Sequence, residues 1–430
     1  MNISARKWIT VVLLIGLLTI AGFNILKKHV RKSGTGERVI SSDVMVFVNA
    51  GKALLHGENI YYDSNGKMNS YVYLPFYAFA NIPLSFLDPM AVDILWYILN
   101  IIFLYFILRY SYFIISGRNF LDLSYKEKWF YYGLSIIFSV RFLVRNFQDA
   151  NINILMLFLI VLSFYLYIIK KRDYYFVLIG IVGAIKIFPL LFIIYFFAKK
   201  QFKPIIYILV GFFVATLSPL VILGFPKYIS YLVEFREYTG RIMSARGAVI
   251  ENFSIWGTMI RTLTLNKSFV YHDLPVYLNI TNLSSVLIKV FSIVINIFFV
   301  VYLYLFTKKE SLKATTPGIN LHNGAFVITL LLMNFVSILI EEHHVVSFLV
   351  VYLYFLIAIK EKVITNSIVK WIIYATAILS ILTTHDVIVP LFGKLFLLKC
   401  LAFSVPILPN GIIFIVLLHC LNKKVALNNL

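Results

Sequence analysis

A carboxylate at the head of an amphipathic stretch, a lysine beside a proline in an apolar run, and a His-His pair behind two glutamates are the residues here whose types and surroundings suit chemistry. Asp43 opens SSDVMVFVNAGKALLHGENIYYD (41–63), which reads as a short helix from Val44 to Leu55 closed by Gly57. Gln148, Asp149, Asn151 and Asn153 crowd one turn, and Lys186 stands in the break Lys186-Ile-Phe-Pro189. Arg241, Arg246, Glu251, Asn252 and Ser254 share a loop, Glu341, Glu342, His343 and His344 form a run, and His385 and Asp386 form a further pair. Cations, one leading carboxylate, imidazoles and amides together describe a polar cavity suited to an anionic ligand such as a lipid-linked phosphate. Plainer readings stand beside this one. Asp43 suits a helix N-cap, the Gln148–Asn153 stretch suits a helix terminus, and Glu341–His344 suits a solvated turn.

The elements that must position these residues are set by composition. Of 430 residues 61% are hydrophobic and 13% charged, against about 45–50% and about 25% in ordinary soluble domains. The apolar residues come in runs long enough to cross a hydrocarbon core as helices, and the alternation of barrel strands is missing. The expected fold is therefore an all-α integral membrane protein forming a single polytopic domain over 1–430. About ten full spans are expected, near 8–26, 89–113, 128–146, 150–170, 204–223, 281–306, 322–340, 345–360, 366–384 and 403–421. The first is read as a retained span, because it is too long for a signal-peptide core and lacks a small-residue cleavage site. Cys400 and Cys420 are too few for a disulfide framework or a cysteine metal site.

Basic clusters assign sides. With Arg6/Lys7, Lys170-Lys171-Arg172, Lys199/Lys200, Lys308/Lys309 and Lys423/Lys424 all cytoplasmic, both termini are cytoplasmic too. The segment 174–198 is flanked by such charge at both ends, so a single crossing would invert every later loop. It reads instead as a re-entrant hairpin of two half-length helices broken at Lys186-Ile-Phe-Pro189, which is tolerable only where the break lines a protein-enclosed or watery cavity. The polar residues named above then fall on the extracytoplasmic side, in a first loop (27–88), a second loop (225–280) and the turns level with them.

At these residues the sequence resembles glycosyltransferase family 87. Asp43, the stretch Ala50 to Tyr62, Tyr73-Leu-Pro75, Pro83-Leu, Trp96 with Asn100, DANINIL (149–155), GIVGAIKIFPLL (180–191), SPLVILG (218–224), Asn252-Phe-Ser254 with Gly257, and Glu342-His343-His344 follow the family's motifs in order. Departures are Asn151 where a Gln is usual, Phe76 for a second Pro, Phe253 for a Gln, and no Trp before the His pair. The resemblance implies a GT-C type bundle with interfacial amphipathic helices in the first outer loop. It also implies a donor sugar carried on a polyprenyl phosphate, mannose being the family default.

That reaction needs a base for the acceptor hydroxyl and cations for the departing phosphate. Asp43 is the expected base, with Lys186, His343, His344, Arg241 and Arg246 as donor phosphate-binding residues. Tyr62, Tyr73, Gln148, Asn151, Asn153, Asn252, Ser254 and Glu342 are the expected substrate-binding set. No metal site and no cofactor are expected; the partners are membrane lipids, the lipid-linked donor and a glycolipid or glycan acceptor, with no nucleic acid. Displacement with a single base inverts the anomeric centre, whereas retention calls for a second carboxylate at the sugar carbon. A transporter or flippase of lipid-linked sugars and an O-antigen polymerase-like enzyme are the rival readings. The expected location is a bacterial inner membrane.

Overall fold

A computed structural model describes residues 42–405 apart from 64, 247, 266, 273, 312–323, 338 and 384, together with 411–413 and 415–416. The expected first span, 8–26, and most of the last, 403–421, lie outside these residues. The chain is helical almost throughout. Its helices are α1 (Asp43–His56), α2 (Pro75–Ala80), α3 (Pro89–Ser116), α4 (Leu134–Asp149), α5 (Asn153–Lys170), α6 (Val177–Ile185), α7 (Leu191–Ala198), α8 (Phe202–Leu217) and α9 (Leu220–Arg246). There follow α10 (Ile255–Leu263), α11 (Ser285–Ser311), α12 (Gly324–Val336), α13 (Phe348–Lys360), α14 (Ser367–Leu382) and α15 (His385–Ala402). The second long loop also holds an antiparallel hairpin, β1 (Lys267–Tyr271) with β2 (Leu274–Tyr277), which the all-α expectation did not include.

Four helices among the described residues are long and apolar enough to span a membrane: α3, α5, α11, and α13 with the turn that precedes it (Glu342–Lys360). A fifth is counted if α8 and the first part of α9 are one broken span, but they meet at 85°. Ten full spans are therefore not reached among these residues, and the reasons are local. The stretch expected at 128–146 begins with a π-helical turn (Trp129–Gly133) and continues as α4, which carries Arg141, Arg145 and Asp149. The stretch expected at 204–223 bends after Leu217, and Gly224 adopts φ 68° and ψ 166°, a conformation foreign to a helix. The stretches expected at 322–340 and 366–384 shorten to α12 and α14, both below full span length. Four such apolar helices, these two among them, fill the bundle.

Residues 174–198, where a re-entrant hairpin is expected, hold two half-length helices, α6 and α7, separated at Lys186, whose φ of −136° and ψ of 131° are extended. Phe176, just before α6, packs its ring 4.5 Å from that of Phe196 near the end of α7, so the chain doubles back and its two basic flanks lie together. Glycine makes the seat for α6. A Cβ on Gly180 would lie 2.0 Å from the Ile208 carbonyl oxygen, and one on Gly211 would lie 2.2 Å from that of Val177, so α6 and α8 touch backbone to backbone. Lys186 is held at the tip of a helix that cannot slide away.

The first loop folds onto the same end of the bundle. Val44, Phe47, Val48, Gly51 and Leu54 of α1 are buried while Asn49, Lys52 and His56 are exposed, the amphipathic pattern expected of it. Gly57, at φ 75°, ends α1 with its N–H bonded to Leu54 O, and Glu58 N bonds Ala53 O. The N-terminal cap differs from expectation: Ser42 takes the N-cap position without a side-chain cap bond, and Asp43 sits in the first turn with its carboxylate turned elsewhere. Helix α9 lies across this loop. Lys227 Nζ donates to Gly57 O (2.8 Å), Tyr231 Oη to Glu58 O (2.6 Å), Asn59 Nδ2 to Glu234 Oε2 (2.7 Å) and Tyr238 Oη to Asn69 O. The two long loops thus form one cover over the polar end of the bundle.

Candidate active site

Four side chains from three distant parts of the chain make a continuous hydrogen-bonded line. Lys186 Nζ donates to Asn153 Oδ1 (2.9 Å), Asn153 Nδ2 to Asn151 Oδ1 (2.6 Å), and Asn151 Nδ2 to Asp43 Oδ2 (2.5 Å). Helix α4 ends at Asp149, Ala150 turns left-handed at φ 50°, and α5 starts at Asn153, so the tight turn presents both amides to one side. Asn151 and Asn153 are buried, whereas Asp43 and Lys186 keep partial exposure. Each amide must point its oxygen at the cation and its nitrogen at the carboxylate, so the dipoles align and strengthen one another. An amide neither gives up nor takes a proton at ordinary pH, so the line orients two charges without letting them exchange a proton. The Asp43 carboxylate accepts the Asn151 bond through Oδ2.

Tyr73 stands beside this line, its ring 5.7 Å from Lys186 Nζ. It belongs to an aromatic cluster in which Phe47, Tyr71 and Tyr77 surround it at 5.2, 5.7 and 5.5 Å. Tyr61 donates to Tyr73 O (2.9 Å), and burial, aided by the charge of Glu234, pushes its phenol far above the ordinary range, so it remains a neutral donor. Tyr62 packs edge-on to Tyr238 at 5.8 Å, in the cover.

The turn before α13 comes to the same place. Asp43 and Glu341 lie near enough to Lys186, and Lys186 and His343 near enough to His344, to interact electrostatically. His344 Nδ1 accepts from Glu341 N (3.1 Å), and the ring also bonds the Leu339 backbone. The rings of His343 and His344 are perpendicular and 4.4 Å apart. His343 lies between two acids, its Nδ1 3.1 Å from Asp149 Oδ2 and its Nε2 3.7 Å from Glu341 Oε2, while Arg145 Nε is 3.0 Å from the same Asp149 oxygen. Glu342 points the other way and pairs with buried Arg141, whose second nitrogen donates to Thr383 Oγ1 (2.6 Å) and Ser380 O (3.1 Å). Gln148 is partly buried at the end of α4.

Residues 71–330 match the family profile of glycosyltransferase family 87. The chain belongs to that family. It is a membrane glycosyltransferase, with the apolar helices such an enzyme requires. No curated protein and no solved structure matches it significantly. Within this glycosyltransferase the matched segment contains Tyr73, Asn151, Asn153 and Lys186, whereas Asp43, His343 and His344 lie outside it and join the site through the fold.

Other expected residues occupy supporting positions. Asn252 is buried, and its Oδ1 accepts from Ser254 N (3.1 Å) and Ile340 N (3.2 Å), while Phe253 N donates to Ile340 O (2.7 Å). This splices the second loop to the strand of chain that leads into His343 and His344. Ser254 caps α10 through Gly257 N (2.9 Å). Arg241 is exposed on α9, and the side chains of Arg246, His385 and Asp386 lie outside the described residues. No cluster of three or more His, Cys, Asp or Glu placed to hold a metal is found among the described residues.

Two arginines went unnoticed in the sequence. Arg141 sits mid-helix in α4, inside the stretch expected to span at 128–146. Arg261, in α10, is fully buried and donates to Ala402 O (2.8 Å), Val249 O (2.6 Å), Asn252 O (2.8 Å) and Ser404 Oγ (2.9 Å). Burial, against the opposing effect of Glu251, pulls its guanidinium down to about 10, so it stays charged at neutral pH. Arg141 had one signal available, being a charge within an apolar run; Arg261 had none, because its partners are three backbone carbonyls and a distant serine hydroxyl.

Proposed function

We propose that this glycosyltransferase moves a single sugar, mannose in the first instance, from a polyprenyl phosphate to a hydroxyl of a lipid-linked or polysaccharide acceptor. Asp43 takes the proton from the acceptor hydroxyl as the oxygen attacks the anomeric carbon; the bond from that carbon to the phosphate oxygen breaks, and the lipid phosphate departs. A single base attacking opposite the leaving group inverts the configuration, so a β-linked donor yields an α-linked product. Lys186 and His344, with His343 beside them, meet the charge on the departing phosphate, and Tyr73 offers a ring face to the sugar. The site faces away from the cytoplasm of a bacterial inner membrane, with both termini inside.

The observation that supports this reading is the line Asp43–Asn151–Asn153–Lys186, which joins a carboxylate to an amine through two amides. The test is transfer from synthetic polyprenyl-phosphate mannose by purified wild-type and Asp43→Asn protein. Turnover is expected to fall by about 10²–10⁴-fold in the variant while donor binding persists. Near-normal turnover would remove Asp43 from the role of base. A wild-type enzyme that consumes no polyprenyl-phosphate sugar would remove the donor class.

A further inference from the structure

Helix α3 carries a buried acid that the reaction above does not use. Asp93 is 4% exposed, in the most N-terminal membrane-spanning helix among the described residues, where an unneeded carboxylate is costly. Its Oδ1 accepts from Ser42 Oγ (2.9 Å), and Ser42, itself 1% exposed, is the residue before Asp43. One turn further along the same face, Trp96 Nε1 donates to Asn151 O (3.3 Å), and Asn151 is the residue that bonds the Asp43 carboxylate. Two contacts from one rigid helix therefore converge on Asp43, one through the backbone that precedes it and one through its amide partner. The Ser42 hydroxyl gives no cap bond to α1, so its donation to Asp93 replaces the usual local use of an N-cap serine.

We propose that Asp93 is a positioning residue for Asp43: through Ser42 it fixes the start of α1 against α3, and Trp96 fixes the amide that aims the carboxylate. This rests on the reading of Asp43 as the base. A base displaced by a fraction of an ångström loses rate without losing substrate affinity. Asp93 does not touch the reacting atoms and takes no proton in the step.

The test is a double-mutant cycle on the full-length enzyme in detergent, read as kcat and donor KM separately. Asp93→Ala and Ser42→Ala are each expected to lower kcat by about 10–100-fold with donor KM within about twofold of wild type. Because both remove the same bond, the double variant should be no slower than either single one. Asp93→Asn keeps an oxygen that accepts from Ser42 and should recover most of the loss. Multiplicative effects in the double variant, or a rise in KM that accounts for the loss, would overturn the proposal. So would an Asp93→Asn protein that matches Asp93→Ala although both elute as single species and bind donor. A dead Asp43→Asn enzyme alongside a normal Asp93→Ala enzyme would reject the positioning role and leave the base intact, whereas an active Asp43→Asn enzyme would reject the base itself.

Discussion

At the scale of single residues, the two ends of the polar line are ionisable and the two amides between them carry orientation. Lys186→Met removes the cation and leaves Asn153 Oδ1 without its donor. With stabilisation of the leaving phosphate as its task, kcat should fall by about 10²–10³-fold, measured as turnover of the lipid-phosphate sugar at saturating donor. Asn153→Ala keeps the ammonium but frees it from its tether, and the loss should be smaller. Equal losses in the two variants would mean that Lys186 acts through its geometry and not through its charge. Lys186 stood out by residue type, as a cation within an apolar run, whereas Asp43 and the His pair were singled out through the family resemblance, because each also suits a helix cap or a solvated turn. Asp93 was equally a carboxylate in an apolar run and was passed over. Its partner is a serine 51 positions away, and no spacing rule connects them.

At the scale of elements, the half-helix α6 delivers Lys186, and its placement depends on its contact with α8. Gly180→Ala would drive a methyl group into the Ile208 carbonyl oxygen, which lies 2.0 Å from where the Cβ would be. Backbone cannot yield as a side chain can, so a destabilisation of about 1–3 kcal/mol is expected, with activity falling as the tip of α6 moves. Gly240→Ala in α9, where a Cβ meets nothing within 4 Å, should be neutral or gain up to about 1 kcal/mol from helix propensity. Thermal unfolding in detergent compares the two. The hairpin itself was legible: basic residues flank it at both ends and Pro189 cannot continue a helix. The shortening of other spans was not legible to the same degree. The bend after Leu217 and the short α12 and α14 depend on packing between segments, and a hydropathy window contains no neighbours.

At the scale of the whole molecule, the site depends on distant segments being spliced together. Arg261 ties α10 to the end of α15 at Ala402, to Ser404 just after it and to the Asn252 loop, and Asn252 in turn holds Ile340 ahead of the His pair. Arg261→Ala would leave buried carbonyls without donors, and a loss on the order of 3 kcal/mol or more is expected. Arg261→Lys should recover only part of this, since an ammonium cannot reach acceptors on several sides as the guanidinium fork does. A melting temperature unchanged by Arg261→Ala would show that the splice does not hold the fold. By itself the sequence determined that the chain is an integral membrane protein, where its apolar runs lie, and that a helix must break at Lys186-Ile-Phe-Pro189. These follow from transfer energies and backbone rules that act within a few residues of each other. Only the tertiary structure decided that Asp43 bonds Asn151 instead of capping its own helix, that Glu342 faces Arg141 while His343 and His344 face the site, and that Asp93 reaches Ser42. Each of those depends on which helices pack together, and the direction of a side chain across a bundle is fixed by packing between segments far apart in the chain.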